Sequence, residues 1–163
     1  MLRFGILTLS DRSSRGERQD SSGPALAGFI QTQGWSVARQ SLLPDDESSI
    51  REILTTWSDS GDLDVILTTG GTGFSPRDVT PEATRAVLDR EAPGLAEAMR
   101  AASLKITPHA MLSRIVTGIR GKTLIVNLPG SPKGAVENLQ VLIPVLPHAV
   151  QLLREDPASE STH

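Results

Sequence analysis

Residues 63–73 read Leu63-Asp64-Val65-Ile66-Leu67-Thr68-Thr69-Gly70-Gly71-Thr72-Gly73. An apolar run that ends abruptly in glycines reads as a strand covered on both faces, and such strands belong to parallel sheets. The same grammar recurs on either side of it. Upstream, Ile50, Ile53, Leu54 and Trp57 make an i, i+3, i+4, i+7 helical stripe. Pro44-Asp45-Asp46 precedes that stripe and ends a strand over Trp35–Leu43. Farther back, Leu26, Phe29 and Ile30 lie at helical spacing before a stop at Gly34, and Arg3–Ser10 is a first buried strand. The polar stretch 11–22 between them reads as a loop. Downstream, Gly70–Val79 is a loop, Thr80-Pro81 opens a helix with Thr80 as N-cap, and a further helix covers Leu95–Leu104. Lys122–Leu128 is another buried strand. Pro129-Gly130-Ser131-Pro132 then leads into a helical stretch that Pro144 and Pro147 must kink or divide. This alternation predicts one α/β domain over residues 1–154, a three-layer α/β/α arrangement with a mostly parallel sheet flanked by helices. The polar tail, residues 155–163, is expected to be disordered.

Composition narrows the function. The 163 residues hold 16 Lys and Arg against 19 Asp and Glu, a net charge of −3. That balance argues against a nucleic-acid partner, which calls for a basic face. The absence of cysteine excludes disulfides, zinc–thiolate sites and thiol catalysis. His109, His148 and His163 are scattered, with no pair at metal-binding spacing. The apolar runs are far too short for a membrane span. MLRFGILTLSDR reads as a first strand rather than a secretion signal, so a cytoplasmic location without membrane contact is the expectation.

In doubly wound sheets the ligand lies beyond the carboxyl ends of the strands. There the sequence places Ser10-Asp11-Arg12, Pro44-Asp45-Asp46, Gly70-Gly71-Thr72-Gly73 with Arg77-Asp78, and Pro129-Gly130-Ser131. Glycines let backbone N–H groups converge on an anion, and Thr72 adds a hydroxyl. The loop is neither a GxGxxG fingerprint nor a GxxxxGK[ST] loop, which disfavours a dinucleotide site, a kinase or a Walker-type NTPase. Asp45 and Asp78, 33 residues apart, each follow a strand on the same side of the sheet. Two carboxylates at one edge suit a hard cation such as Mg²⁺. The plainer alternatives are a helix N-cap for Asp45 and a loop contact with Arg77 for Asp78. Ser131 opens a helix whose N-terminus suits phosphate, with Lys133 beside it. Arg114 is either a phosphate fork or a surface arginine. Phe74 either packs a ligand ring or anchors the loop.

The string Thr68–Thr84, TTGGTGFSPRDVTPEAT, resembles the signature of the molybdenum-cofactor biosynthesis family that comprises MogA, MoaB and the gephyrin G domain. Leu7–Arg12 (LTLSDR), Ser103–Arg114 (SLKITPHAMLSR) and Gly118–Gly134 (GIRGKTLIVNLPGSPKG) match the same pattern in the same order, so the resemblance spans about residues 3–154. The wording is most similar to gephyrin-like and plant-type G domains. The resemblance implies a MogA-like fold and a molybdopterin adenylyltransferase, a nucleotidyltransferase that converts molybdopterin and ATP to adenylyl-molybdopterin and pyrophosphate with Mg²⁺. It implies that Asp45 and Asp78 are the catalytic, metal-holding pair. Ser10, Asp11, Gly70, Gly71, Thr72, Gly73, Ser113, Pro129, Gly130 and Ser131 are the expected substrate-binding residues. It further implies a homotrimer and hand-over to a molybdenum insertase protein, with the chain to His163 reading as a stand-alone G domain. The competing expectations are a non-catalytic molybdopterin-binding or trimeric scaffold protein, and a MoaB-type paralogue of reduced activity.

Overall fold

The structure, a computed structural model, describes residues 1–162; His163, the end of the expected tail, lies outside the described residues. In chain order the elements are β1 (Arg3–Leu9), α1 (Asp11–Ser14), α2 (Ser22–Thr32), β2 (Ser36–Leu43), α3 (Glu47–Asp59), β3 (Val65–Thr69), α4 (Thr80–Val87), β4 (Arg90–Glu91), α5 (Pro93–Leu104), β5 (Thr117–Arg120), β6 (Thr123–Leu128), α6 (Pro132–Leu142) and α7 (Leu146–Leu153). Short 3₁₀ turns cover Pro108–Leu112 and Pro157–Thr162. The strands form one sheet in the order β2-β1-β3-β6-β5-β4. The first four are mutually parallel, and β5 and β4 run antiparallel at the edge.

Side-chain alternation divides the core into two layers. Phe4 and Ile6 of β1, Val65 and Leu67 of β3, and Leu124, Val126 and Leu128 of β6 face α2, α5, α6 and α7. Leu7 and Leu9, Ile66 and Ile125 face the other way, against Ile50, Leu54 and Trp57 of α3 and Ala83 and Val87 of α4. The expected α/β/α sandwich is therefore present. Asn127 is polar on that second face and buried; its Nδ2 donates to Thr68 Oγ1 and Thr84 Oγ1, both at 2.9 Å, and its Oδ1 accepts from Val116 N at 3.0 Å. A buried amide satisfied in this way carries no desolvation penalty left over.

Several local expectations need correction. The stretch 11–22 is not all loop: Ser10 Oγ accepts from Ser13 N at 3.1 Å and caps α1. Thr80 is not an N-cap. It lies inside α4, and its hydroxyl donates to Gly70 O at 2.9 Å. The edge strands β4 and β5 were not expected. β5 and β6 are joined across Gly121-Lys122, with Gly121 at φ +59°, in a tight hairpin. Pro144 and Pro147 do divide the last helical stretch, since α6 and α7 meet at 66°. The tail, expected to be disordered, instead carries the 3₁₀ turn Pro157–Thr162, with Ser159 buried. Among the described residues no single helix is long and apolar enough to cross a membrane.

At the amino-terminal end of β3 an ion cluster ties the chain's two ends together. Asp64 is 2 % exposed. It accepts from Arg3 N at 2.8 Å, from Arg3 Nε and Nη2 at 3.1 Å, and from Arg154 Nε at 3.0 Å. Burial pushes its carboxyl up, but the hydrogen bonds from Arg3 and Arg154 outweigh burial and hold it below the ordinary value. A carboxyl depressed on folding stabilises the fold at pH values above its unfolded pKa, about 3.9, and that stabilisation is lost as pH falls through the lower folded value. Urea midpoints of the wild type should therefore exceed those of Asp64→Asn at pH 7, and the gap should close below pH ~3.9 as the wild-type carboxyl protonates. A gap independent of pH would show that the cluster's charge contributes nothing.

Candidate active site

Parallel register brings the candidate residues to one edge. Leu9 lies opposite Leu43, Thr8 opposite Thr69, and Thr69 opposite Leu128. The four parallel strands therefore end within one residue of each other, and the segments that follow them emerge side by side. Gly70 N donates to Leu128 O at 3.2 Å, rooting the glycine loop against β6. Gly71 has φ +67°, and a Cβ there would lie 2.3 Å from Thr80 Oγ1 and 2.9 Å from Asp45 Oδ1. Only a glycine lets the loop pass this close to the carboxylate.

Three aspartates gather around this loop. Asp11 N donates to Asp45 Oδ2 at 3.1 Å, and Asp45 N donates to Asp11 Oδ1 at 3.0 Å, a reciprocal clasp between the ends of β1 and β2. Arg77 grips Asp11 with Nε at 2.9 Å and Nη2 at 3.0 Å. Asp78 Oδ2 accepts from Ser75 N at 3.0 Å, and a Cβ on Gly73 would lie 3.0 Å from the same oxygen. Both plainer alternatives fail. The N-cap of α3 is Asp46, which accepts from Ser49 N at 2.9 Å, and Arg77 pairs with Asp11 rather than Asp78.

The electrostatics single out Asp45. Burial pushes its carboxyl up, and the nearby charges of Asp11 and Asp78 push the same way against the Asp11 amide bond. Asp11 is held low, chiefly by the Arg77 guanidinium. Asp45 Oδ1 is buried without a hydrogen-bond partner among the described residues. Such an atom is costly unless a cation or donor fills the place it faces. No group of three or more His, Cys, Asp and Glu among the described residues is arranged to hold a metal ion. A hard cation here would complete its shell with water and substrate oxygens.

Two cavities open on either side of Gly130-Ser131. One, about 320 Å³, is lined by the expected Thr72, Gly73, Ser113 and Pro129. The other, about 240 Å³, is lined by Ser10 and Gly70. Gly130 and Ser131 line both. Ser113 lines the larger cavity, and its Oγ is buried without a hydrogen-bond partner among the described residues. Ser131 Oγ instead accepts from Gly134 N at 3.1 Å as the cap of α6. Lys133 lines neither cavity and is largely exposed, 3.9 Å from Glu137, and Phe74 is 68 % exposed rather than packed. Arg114 presents no fork to either cavity; it faces the loop's own carbonyls. Sequence reasoning missed Arg100, His109 and Asn138 in the larger cavity and Arg18 and Asp20 in the smaller. None of them carries a local pattern that distinguishes it from a surface polar residue.

The family model described as "Probable molybdopterin binding domain" matches residues 5–148. The chain belongs to this molybdenum-cofactor biosynthesis family. It is 46 % identical to gephyrin of Dictyostelium discoideum over 95 % of this chain, and spans 23 % of that protein's length. It is 40 % identical to the molybdopterin adenylyltransferase of Helicobacter pylori strain J99, over 93 % of this chain and 88 % of that one. Among solved structures it is similar to the molybdopterin biosynthesis enzyme MoaB of Thermus thermophilus, with 55 % identity and a TM-score of 0.90 over 96 % of this chain and 99 % of that one.

Two glycine substitutions separate contact from backbone strain. Gly121 shares Gly71's positive φ, but a Cβ there meets nothing within 4 Å. Gly121→Ala should cost about 1–2 kcal/mol, the left-handed penalty alone. Gly71→Ala should cost more, through Thr80 and Asp45, and melt at a lower temperature than Gly121→Ala. Equal melting temperatures would mean that the loop does not press on Asp45.

Proposed function

We propose that the chain is a molybdopterin adenylyltransferase, joining molybdopterin to the adenylyl group of ATP. The observation that carries this reading is the pair of cavities that share Gly130 and Ser131 and are lined by Gly70, Thr72 and Gly73 of the glycine loop; Asp45 and Asp78 line neither cavity and meet the same loop at Gly71 and Gly73. Two cavities sharing a wall give two substrates adjacent places, which an attack between them requires. A phosphate oxygen of molybdopterin attacks the α-phosphorus of ATP, the α–β phosphoanhydride bond breaks, and pyrophosphate leaves with the electron pair. The phosphate's second pKa is near 6, so at neutral pH it is already largely ionised and no strong general base is needed.

The chain's residues supply position and charge balance. Backbone N–H groups of Gly71–Gly73 and of Lys133 in the first turn of α6 face phosphate oxygens, the Gly70 and Gly134 amides being bonded to Leu128 O and Ser131 Oγ. Ser113 Oγ donates to substrate in the larger cavity. Ser10 lies on the wall of the smaller one. Asp11, clasped to Asp45 and Arg77, keeps the ends of β1 and β2 together. The donor set fits Mg²⁺, which binds through one or two carboxylates and completes its shell from substrate phosphates and water. Asp45 and Asp78 would hold it, and it would neutralise phosphate charge when bound.

The family resemblance implies a homotrimer; exposed Leu104 and Met111, which line neither cavity, are apolar side chains that association would cover. A cytoplasmic setting and transfer of the product to an insertase complete the reading. A scaffold or carrier would hold molybdopterin and make no ATP-dependent product, and a weakened paralogue would make it slowly.

Purified protein incubated with molybdopterin, ATP and Mg²⁺ should yield the adenylylated pterin and pyrophosphate by mass. Asp78→Ala should lower turnover at least about 100-fold, the scale of one lost transition-state charge contact. Molybdopterin binding without product would favour the carrier reading. Ser113→Ala should lower kcat/KM about tenfold, one hydrogen bond to a charged group; unchanged kcat/KM would remove Ser113 from the site.

A further inference from the structure

The loop from Gly70 to Val79 carries Asp78, yet it belongs to no helix or strand. Its carbonyls converge on one distant residue. Arg114 N donates to Thr72 O at 2.8 Å, Arg114 Nε to Gly73 O at 2.8 Å, and Arg114 Nη2 to Asp78 O at 2.8 Å. The third guanidinium nitrogen, Nη1, donates to both oxygens of Glu82, at 2.6 and 3.2 Å. Glu82 stands in the first turn of α4, just after the loop. All three nitrogens of the planar fork are engaged, and a carboxylate balances the charge. Arg114 lines neither cavity.

These contacts bear on the Asp78 carboxylate from two sides. One is the carbonyl of Asp78 itself. The other is Gly73, whose Cα side stands against Asp78 Oδ2 and whose carbonyl Arg114 also holds. The 3₁₀ turn Pro108–Leu112 delivers Arg114 to this place, and Ser113, a residue of the larger cavity's lining, precedes it directly.

We infer that Arg114 is the positioning residue of the adenylyl-transfer site, touching no substrate and acting by locking Gly73 and Asp78 so that the Asp78 carboxylate stays beside Asp45. The inference rests on the transferase reading above. It reads Arg114 as a support of the loop rather than a phosphate ligand, because each of its three nitrogens holds a protein acceptor and it lines neither cavity. It also explains why a lysine would not serve: one ammonium cannot span two carbonyls and a carboxylate in a fixed plane.

The test is a double-mutant cycle on adenylyl-pterin formation, with thermal melts alongside, using wild type, Arg114→Ala, Asp78→Asn and the double variant. Arg114→Ala is expected to lower kcat about 10- to 100-fold, the cost of a misplaced catalytic group. KM for molybdopterin should stay within about threefold, since ground-state binding is not removed. In the Asp78→Asn background the same substitution should lower kcat less than about twofold, because the group it positions is already gone. A general loss of structure would multiply with Asp78→Asn instead, and would overturn the inference. Arg114→Lys keeps charge and stem, and is the variant to use should Arg114→Ala fail to fold; it is expected to show the same kcat loss without rescue. Full activity of Arg114→Lys or Arg114→Ala overturns the inference while leaving the transferase reading intact. A wild type that makes no product overturns both.

Discussion

Everything at the site depends on four parallel strands ending at one edge. Leu9 ends level with Leu43 and Thr69 with Leu128, the two pairs one residue apart, and because the strands are parallel all four release their loops at the same edge. A one-residue slip in β3 would turn Ile66 out of its layer and carry the glycine loop away from Asp45. The two apolar layers hold that register against slippage, and the ion cluster at Asp64 pins the opposite end of β3 to both chain termini.

That convergence creates an electrostatic problem. Asp11 and Asp78 bring their charges to Asp45, where burial already disfavours charge. The structure relieves Asp11 with Arg77, relieves one oxygen of Asp45 with the Asp11 amide, and gives Asp78 the Ser75 amide. One oxygen of Asp45 receives nothing. Strain of this kind is expected where a fold gives up local stability for a ligand's benefit. The glycines belong to the same compromise, since a side chain at Gly71 would occupy the space in front of that oxygen.

Long apolar runs made β1, β3 and β6 readable from sequence, as did the helical stripe of α3, because burial on both faces leaves an unmistakable composition. The short edge strands were not readable. Thr117–Arg120 is four residues long and partly exposed, and Arg90–Glu91 is two exposed residues whose pairing is set by β5 rather than by their own propensity. Thr80 before Pro81 has the form of a cap, yet tertiary contact with Gly70 takes its hydroxyl. Asp45 and Asp46 are the same residue type in adjacent positions, and only the direction of α3 decides that Asp46 caps while Asp45 faces the loop. For Arg114, sequence supplied the residue but not its orientation, and a fork turned inward does the opposite of one turned outward.

We propose that the two cavities that share Gly130 and Ser131 hold the two halves of one reaction. A crystal structure with adenylyl-molybdopterin bound tests it most directly. One continuous ligand is expected to cross Gly130-Ser131, with its pterin and adenosine ends in different cavities and its phosphates before Asp45 and the Gly70–Gly73 loop. A product confined to one cavity, or bound away from Asp45, would contradict it.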